Sequence, residues 1–248
     1  MRNRVLAGLA GLMAIAGLAM AQQKLSKKEY DAFMSIQNAP SPQLQMEMAD
    51  KFVTSFADST MKSVALFLAA NAARRMGDSA KTIVYAQASL DADPKSYQAM
   101  IMISAELARG TRENDLDKEE KLARAEKLAN SALSLIKDAP KPNPQLTDEQ
   151  WEGAKKDLTA QAHEDLGMSA SVRKKNDVAV TEFKTANDLS PNATTLLRLA
   201  GAYDDAGKPD DALAALAKAT ATPGFDPSLK GFVDREKARA EKLKAGGK

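Results

Sequence analysis

The sequence predicts an all-α fold built of helical hairpins stacked in a repeating array, and three observations predict it. The stretch LAGAYDDAGKPDDALAALAKA, from Leu199 to Ala219, aligns with the chain 33 residues earlier, setting Leu199 on Leu166, Ala212 on Ala179, Leu216 on Phe183 and Ala219 on Ala186. A third copy, LFLAANAARRMGDSAKTIVYAQASLDADP, keeps the frame, with Gly77 in the place of Gly207 and Pro94 in that of Pro191. A period of about 34 residues belongs to helix-turn-helix solenoids. The second observation is punctuation: Ser41-Pro42, Asp93-Pro94, Ser190-Pro191 and Asp226-Pro227 each place a capping side chain before a proline. Proline is tolerated at a first helical position because its missing N–H has no partner there anyway. The third is that small residues recur at fixed places in the period. Two helices of one hairpin approach closely there, and a leucine would overpack the contact by ~1 to 3 kcal/mol.

Taken in order, helices are expected near 26–37, 42–56, 60–76, 78–91, 95–109, 116–136, 147–174, 176–188, 192–206, 208–221 and 227–244. The second, fifth, ninth and eleventh begin at the four proline marks. Gly77 and Gly207 serve the turns inside two hairpins, where the chain reverses between paired helices. GTRENDLDKEE, from Gly110 to Glu120, expands the turn of the third hairpin. KDAPKPNPQL follows that hairpin, and its Pro140, Pro142 and Pro144 favour an extended polyproline segment at 137–146. Thr147 to Gln150, TDEQ, has the spacing of a capping box and opens the long seventh helix. The last helix sets Leu229, Phe232, Val233 and Leu243 against a polar remainder, the pattern of a helix that covers the apolar end of a stack. One array over 22–248 is favoured over two blocks, 26–136 and 147–244.

Leu196, Leu199, Ala200, Tyr203, Gly207, Ala212, Leu216 and Ala219 match, position by position, the pattern of the tetratricopeptide repeat family, which this chain resembles. The preceding copy keeps Leu166, Gly167, Ala179, Phe183, Ala186 and Pro191 but has His163 and Ala170 where larger hydrophobes are usual; the earliest has Thr82 and Ser89 at small-residue positions. The resemblance implies a right-handed α-solenoid of about five hairpins plus a C-terminal capping helix. It also implies a concave groove, lined by the first helix of each pair, that holds a peptide or a partner protein. Carried over residue by residue, the groove positions are Phe67, Asn71 and Arg74, then Gln98, Ile101 and Arg109, then Gln161, Glu164 and Met168, and finally Thr194, Leu197 and Asp204. The lysine of the family's carboxylate-clamp form is replaced here by Phe67.

The rest of the sequence bounds the function by exclusion. Arg2 and Arg4 precede an apolar run from Val5 to Met20 and small residues at Ala19 and Ala21, which reads as a signal peptide at 1–21 cut before Gln22. That run is short against the ~20 residues a membrane span needs. Export to the periplasm or the medium is therefore expected, with no stable span after cleavage. Losing the signal leaves 33 of the 35 basic residues against 33 acidic ones, so no net basic charge points to nucleic acid. With no cysteine there is no disulfide, thiol nucleophile or thiolate metal ligand. The one histidine, His163, falls at a packing position, and Asp204/Asp205 and Asp210/Asp211 flank a turn without the spaced oxygens and late glutamate of a calcium loop. They read as solvated turn charges. No catalytic set, cofactor or metal site is expected. The function expected is a non-enzymatic interaction scaffold of the bacterial cell envelope; the alternative is a homo-oligomeric component resembling the repeat modules of envelope-assembly systems.

Overall fold

A computed structural model describes residues 25–246; the signal-peptide reading falls outside the described residues. Among these the chain forms α1 (Lys27–Gln37), α2 (Pro42–Ser55), α3 (Lys62–Arg75), α4 (Ser79–Ala92), α5 (Tyr97–Gly110), α6 (Lys118–Lys137), α7 (Asp148–Val172), α8 (Asn176–Leu189), α9 (Ala193–Asp205), α10 (Pro209–Ala221), a 3-10 turn (Pro227–Leu229) and α11 (Lys230–Gly246). The all-α expectation holds, helix for helix.

The helix starts follow capping chemistry, with three corrections. Ser41 accepts from Leu44 N at 3.2 Å with Pro42 at the first position, as expected. Thr147 and Gln150 form the reciprocal box, Thr147 N donating to Gln150 Oε1 at 3.0 Å and Gln150 N to Thr147 Oγ1 at 3.1 Å. Asp93, however, closes α4; its carboxylate accepts from Lys95 N at 3.0 Å, which holds Pro94 and Lys95 in a turn, and α5 starts only at Tyr97. Ser190 likewise closes α8, and its hydroxyl donates to Asp157 Oδ1 at 2.7 Å. With that hydroxyl engaged, Asn192 caps α9 by accepting from Thr195 N at 2.9 Å. Asp226 caps only the 3-10 turn, through Ser228 N at 2.9 Å.

The described residues divide into two compact units, one of 25–106 with 131–155 and one of 107–130 with 156–246. In the first, Phe33, Ile36, Met46, Ala49, Phe52 and Met61 form a core with the alanines Ala65, Ala69, Ala72 and Ala73 of α3. The rings of Phe33 and Phe52 meet edge to face, 5.8 Å apart at 71°. Ser89, at a small-residue position, is fully buried and bonded reciprocally with Ser63: each hydroxyl donates to the other's carbonyl at 2.9 Å. Serine is thus accommodated where alanine stands in the later copies. The proline-rich segment packs within this unit, with Asn143 and Leu146 buried and Trp151 Nε1 donating to Ala139 O at 3.2 Å.

In the second unit, Ala170, Ala179, Val180, Phe183, Leu199 and Ala202 form one cluster, and Leu196, Leu197, Ala200, Ala215, Leu216, Ala219 and Val233 the next. Phe232 and Leu229 pack on the latter, so the last helix covers the end of the stack as expected. Arg173, nearly buried at the end of α7, donates to Glu119 Oε2 at 2.8 Å and to Glu126, tying the first half of α6 to α7.

The repeat frame also predicts the backbone of the turns. Gly77 and Gly207 have φ of 74° and 70°, and the one non-glycine residue with positive φ among those described, Lys174 at 59°, lies 33 residues before Gly207. The period demands a left-handed turn at that place, and here lysine adopts it. That conformation costs an L-residue ~1 to 2 kcal/mol, against ~0.5 to 1 kcal/mol for the greater chain freedom glycine loses on folding. The Lys174 ion pair with Glu113, 3.0 Å long, is exposed on both sides and contributes little. Lys174→Gly is expected to stabilise the protein by about 0.5 kcal/mol. Urea unfolding measures it, and a loss of stability would contradict the account of this turn.

Candidate functional site

A partner surface on such an array is set by which residues of the first helices escape the hairpin cores. In the first unit, Phe67, Asn71 and Arg74 lie on one face of α3 at i, i+4 and i+7. Phe67 and Asn71 are half-buried and Arg74 is exposed. Asn71 Nδ2 donates to Phe67 O at 3.0 Å, and Arg74 Nη2 donates to Asn71 Oδ1 at 3.1 Å. The structure therefore brings these three together in a chain that orients the guanidinium. On α5, Gln98 is half-buried, whereas Ile101 is buried and belongs to the packing rather than to a surface.

In the second unit, Arg109 is exposed at the end of α5. Gln161, Glu164 and Met168 are half-buried on α7. Gln161 Nε2 donates to Asp157 O at 3.3 Å, and Met168 packs against the Phe183 cluster. Glu164 Oε1 accepts from Thr195 Oγ1 at 3.2 Å and from Arg198, so it joins α7 to α9. On α9, Thr194 is exposed, but Leu197 and Asp204 are buried. Leu197 faces the cluster it shares with Ala215 and Leu216, because one residue along a helix turns the side chain by about 100°. The row that shows is Thr194, Arg198, Gly201 and Asp205, none of them buried. Its spacing of four, three and four is that of one helical face, and the expected Leu197 and Asp204 each lie one residue before it, on the buried side.

Of the four turn carboxylates expected to be solvated, Asp205, Asp210 and Asp211 are exposed and only Asp204 departs from the expectation. Asp205 pairs with Arg239, and Asp210 accepts from Lys244 Nζ at 2.5 Å. Asp204 is 3% exposed, and burial pushes its carboxyl up to about 6. His163 is half-buried at its packing position, with Nδ1 2.6 Å from Glu182 Oε2. Between α8 and α10 a polar cleft of about 500 Å³ opens over Tyr203, flanked by Lys184, Asp188, Lys208 and Asp211. Lys208 Nζ donates to Asp177 Oδ1 at 2.8 Å, which raises its pKa. No helix among the described residues is long and apolar enough to cross a membrane.

No protein-family model and no curated protein matches the sequence. Solved structures do match. A thermophilic TPR protein of Thermus thermophilus, TTC0263, is 20% identical with a TM-score of 0.50, over 79% of this chain and 90% of that one. A double mutant of MamA RS-1 is 14% identical with a TM-score of 0.57, over 79% and 94% of the two chains. The chain has the tetratricopeptide-repeat fold. The RpL4 assembly chaperone Acl4, residues 1–338, is similar at 16% identity with a TM-score of 0.60, over 88% of this chain and 86% of that one. The repeat positions carry the fold physically: Leu196, Leu199, Ala200, Ala212, Leu216 and Ala219 are all buried, and Gly207 makes the turn. Tyr203 is half-buried and packs on both clusters of the second unit, bridging successive repeats.

Proposed function

We propose that the protein is an exported, non-enzymatic scaffold of the bacterial cell envelope that holds an acidic segment of a partner protein on the first helices of its hairpins. The observation that carries this reading is the row Phe67, Asn71 and Arg74. It sets a half-buried aromatic side chain on the same helical face as an exposed guanidinium, two turns on, that donates to the Asn71 amide. An oriented guanidinium binds a carboxylate through two parallel hydrogen bonds, and Phe67 supplies the apolar contact that a bare charge on a helix lacks. Export rests on the reading of residues 1–21 as a signal peptide.

Asn71→Ala combined with Arg74→Ala is expected to reduce capture of the partner from an envelope fraction at least tenfold, since charge-assisted hydrogen bonds contribute ~1.5 to 3 kcal/mol each. Helicity and melting should hardly change. A control altering Lys81 and Lys218, on the second helices of their hairpins, should retain capture. Equal loss in both variants, or in neither, overturns the reading. Light scattering on the eluted complex separates a foreign partner from a second copy of the chain, which would make the same face a self-assembly surface.

A further inference from the structure

The capping helix α11 meets α9 through carboxylates as well as apolar side chains. Asp204 is 3% exposed, and neither of its carboxylate oxygens has a hydrogen-bond partner. On α11 the half-buried Glu236 also turns in an oxygen, Oε2, that has no hydrogen-bond partner. That oxygen lies 3.9 Å from where a Cβ on Gly201 would stand, so α11 lays its carboxylate over the glycine one turn before Asp204 and Asp205. The charged groups that face Asp204 are Asp205 of its own helix and Glu236 and Arg239 of α11. Arg239 is already engaged: it donates to Asp205, and its Nη1 lies 3.6 Å from Glu236 Oε2. Three carboxylates thus share one guanidinium where α11 meets α9, with Asp205 and Arg239 at the exposed edge of that contact. Among the described residues no group of acidic or histidine side chains is arranged to hold a metal ion there.

An ionised, unpartnered carboxylate in a desolvated contact opposes the packing around it, and gaining a proton relieves it. We propose that the docking of α11 on α9 is proton-linked, with Asp204 as the titrating group: protonated, it lets Glu236 approach and the cap closes; ionised, it repels Glu236 and the cap loosens. What the cap covers is apolar, since Leu229, Phe232 and Val233 pack on Leu196, Leu197 and Leu216. Release would therefore uncover the hydrophobic end of the stack.

The sign follows from the direction of the shift. Burial raises the Asp204 carboxyl from 3.8 to about 6, with Arg239 opposing and Glu236 and Asp205 adding to the rise. The stabilisation of the docked cap is then complete below the free value and is lost as pH rises through about 6. Between pH 5.0 and 7.5 this linkage weakens docking about tenfold.

Hydrogen exchange of the full chain, read as protection of α11 amides relative to α8 after correction for the intrinsic rate, tests the latch. Protection of α11 is expected to fall about tenfold from pH 5.0 to 7.5 in the unaltered protein. In Asp204→Asn it should stay at the low-pH level throughout. Glu236→Gln should reduce the fall. Unchanged protection in the unaltered protein, or the same fall in Asp204→Asn, overturns the proposal. Should Asp204→Asn not fold, carbon NMR titration of the Asp204 carboxyl in the unaltered protein decides: a midpoint near the free carboxylate value overturns the latch, and one tracking the loss of protection supports it.

Discussion

Gly167→Ala is expected to destabilise the second unit by about 1 to 3 kcal/mol, the cost of overpacking a formed core. A Cβ at this position would lie 2.7 Å from both Cδ1 and Cε1 of Phe183. The ring has no room to give, because Phe183 is 2% exposed and wedged among Ala170, Ala179, Val180 and Leu199. In the next copy the same two positions hold Ala200 and Leu216, both buried in one cluster. Between these two copies the pair keeps its summed size and exchanges its parts: glycine opposite phenylalanine, alanine opposite leucine. Phe183→Leu should consequently rescue Gly167→Ala in large part, giving a favourable interaction term of about 1 kcal/mol or more in a double-mutant cycle. Gly201 provides the opposite sign. A Cβ there meets Glu236 Oε2 at 3.9 Å, an ordinary contact, so Gly201→Ala should stabilise by the ~0.5 to 1 kcal/mol that separates alanine from glycine inside a helix. Urea unfolding followed by far-ultraviolet circular dichroism reads the four variants against the unaltered protein; equal effects at the two glycines would refute the close-approach account of Gly167.

Ala212→Leu should cost a similar ~1 to 3 kcal/mol, whereas Ala217→Leu, five residues on, should stay within ~0.5 kcal/mol of the unaltered protein. Ala212 is fully buried, as are its counterparts Thr82 and Ala179 at the same place in the other copies. Thr82 fits only because its hydroxyl donates to Asp78 O at 2.8 Å, which leaves a methyl to pack. Leucine has no such compact arrangement and must displace the facing helix. Ala217 is exposed on the other side of α10, where a longer side chain meets solvent. Equal shifts in unfolding midpoint for the two substitutions would mean that the 33-residue frame misplaces the hairpin contact.

By itself the sequence determined the helices of the described residues, the period and the close-packed small positions. Those features are local or nearly so: a capping box such as Thr147 to Gln150 acts within one turn, and an alanine stripe such as Ala212 and Ala219 follows from the helical repeat. The exposed face of α3 was equally legible, because Phe67, Asn71 and Arg74 share a helical face whatever surrounds them. The tertiary structure decided what depends on a distant partner. Asp93 and Ser190 look like helix starts, yet one side chain holds the turn after it and the other is drawn to Asp157, so each ends a helix instead. Lys174 carries no local mark of a left-handed residue; the hairpin it closes imposes that backbone. Leu197 and Arg198 are neighbours in sequence, but a rotation of about 100° sends one into the core with Leu216 and the other to Glu164. Asp204 has a composition that predicts a solvated turn, and it is buried because α11 lies over α9, a contact made across some thirty residues of chain that no periodicity within either helix encodes.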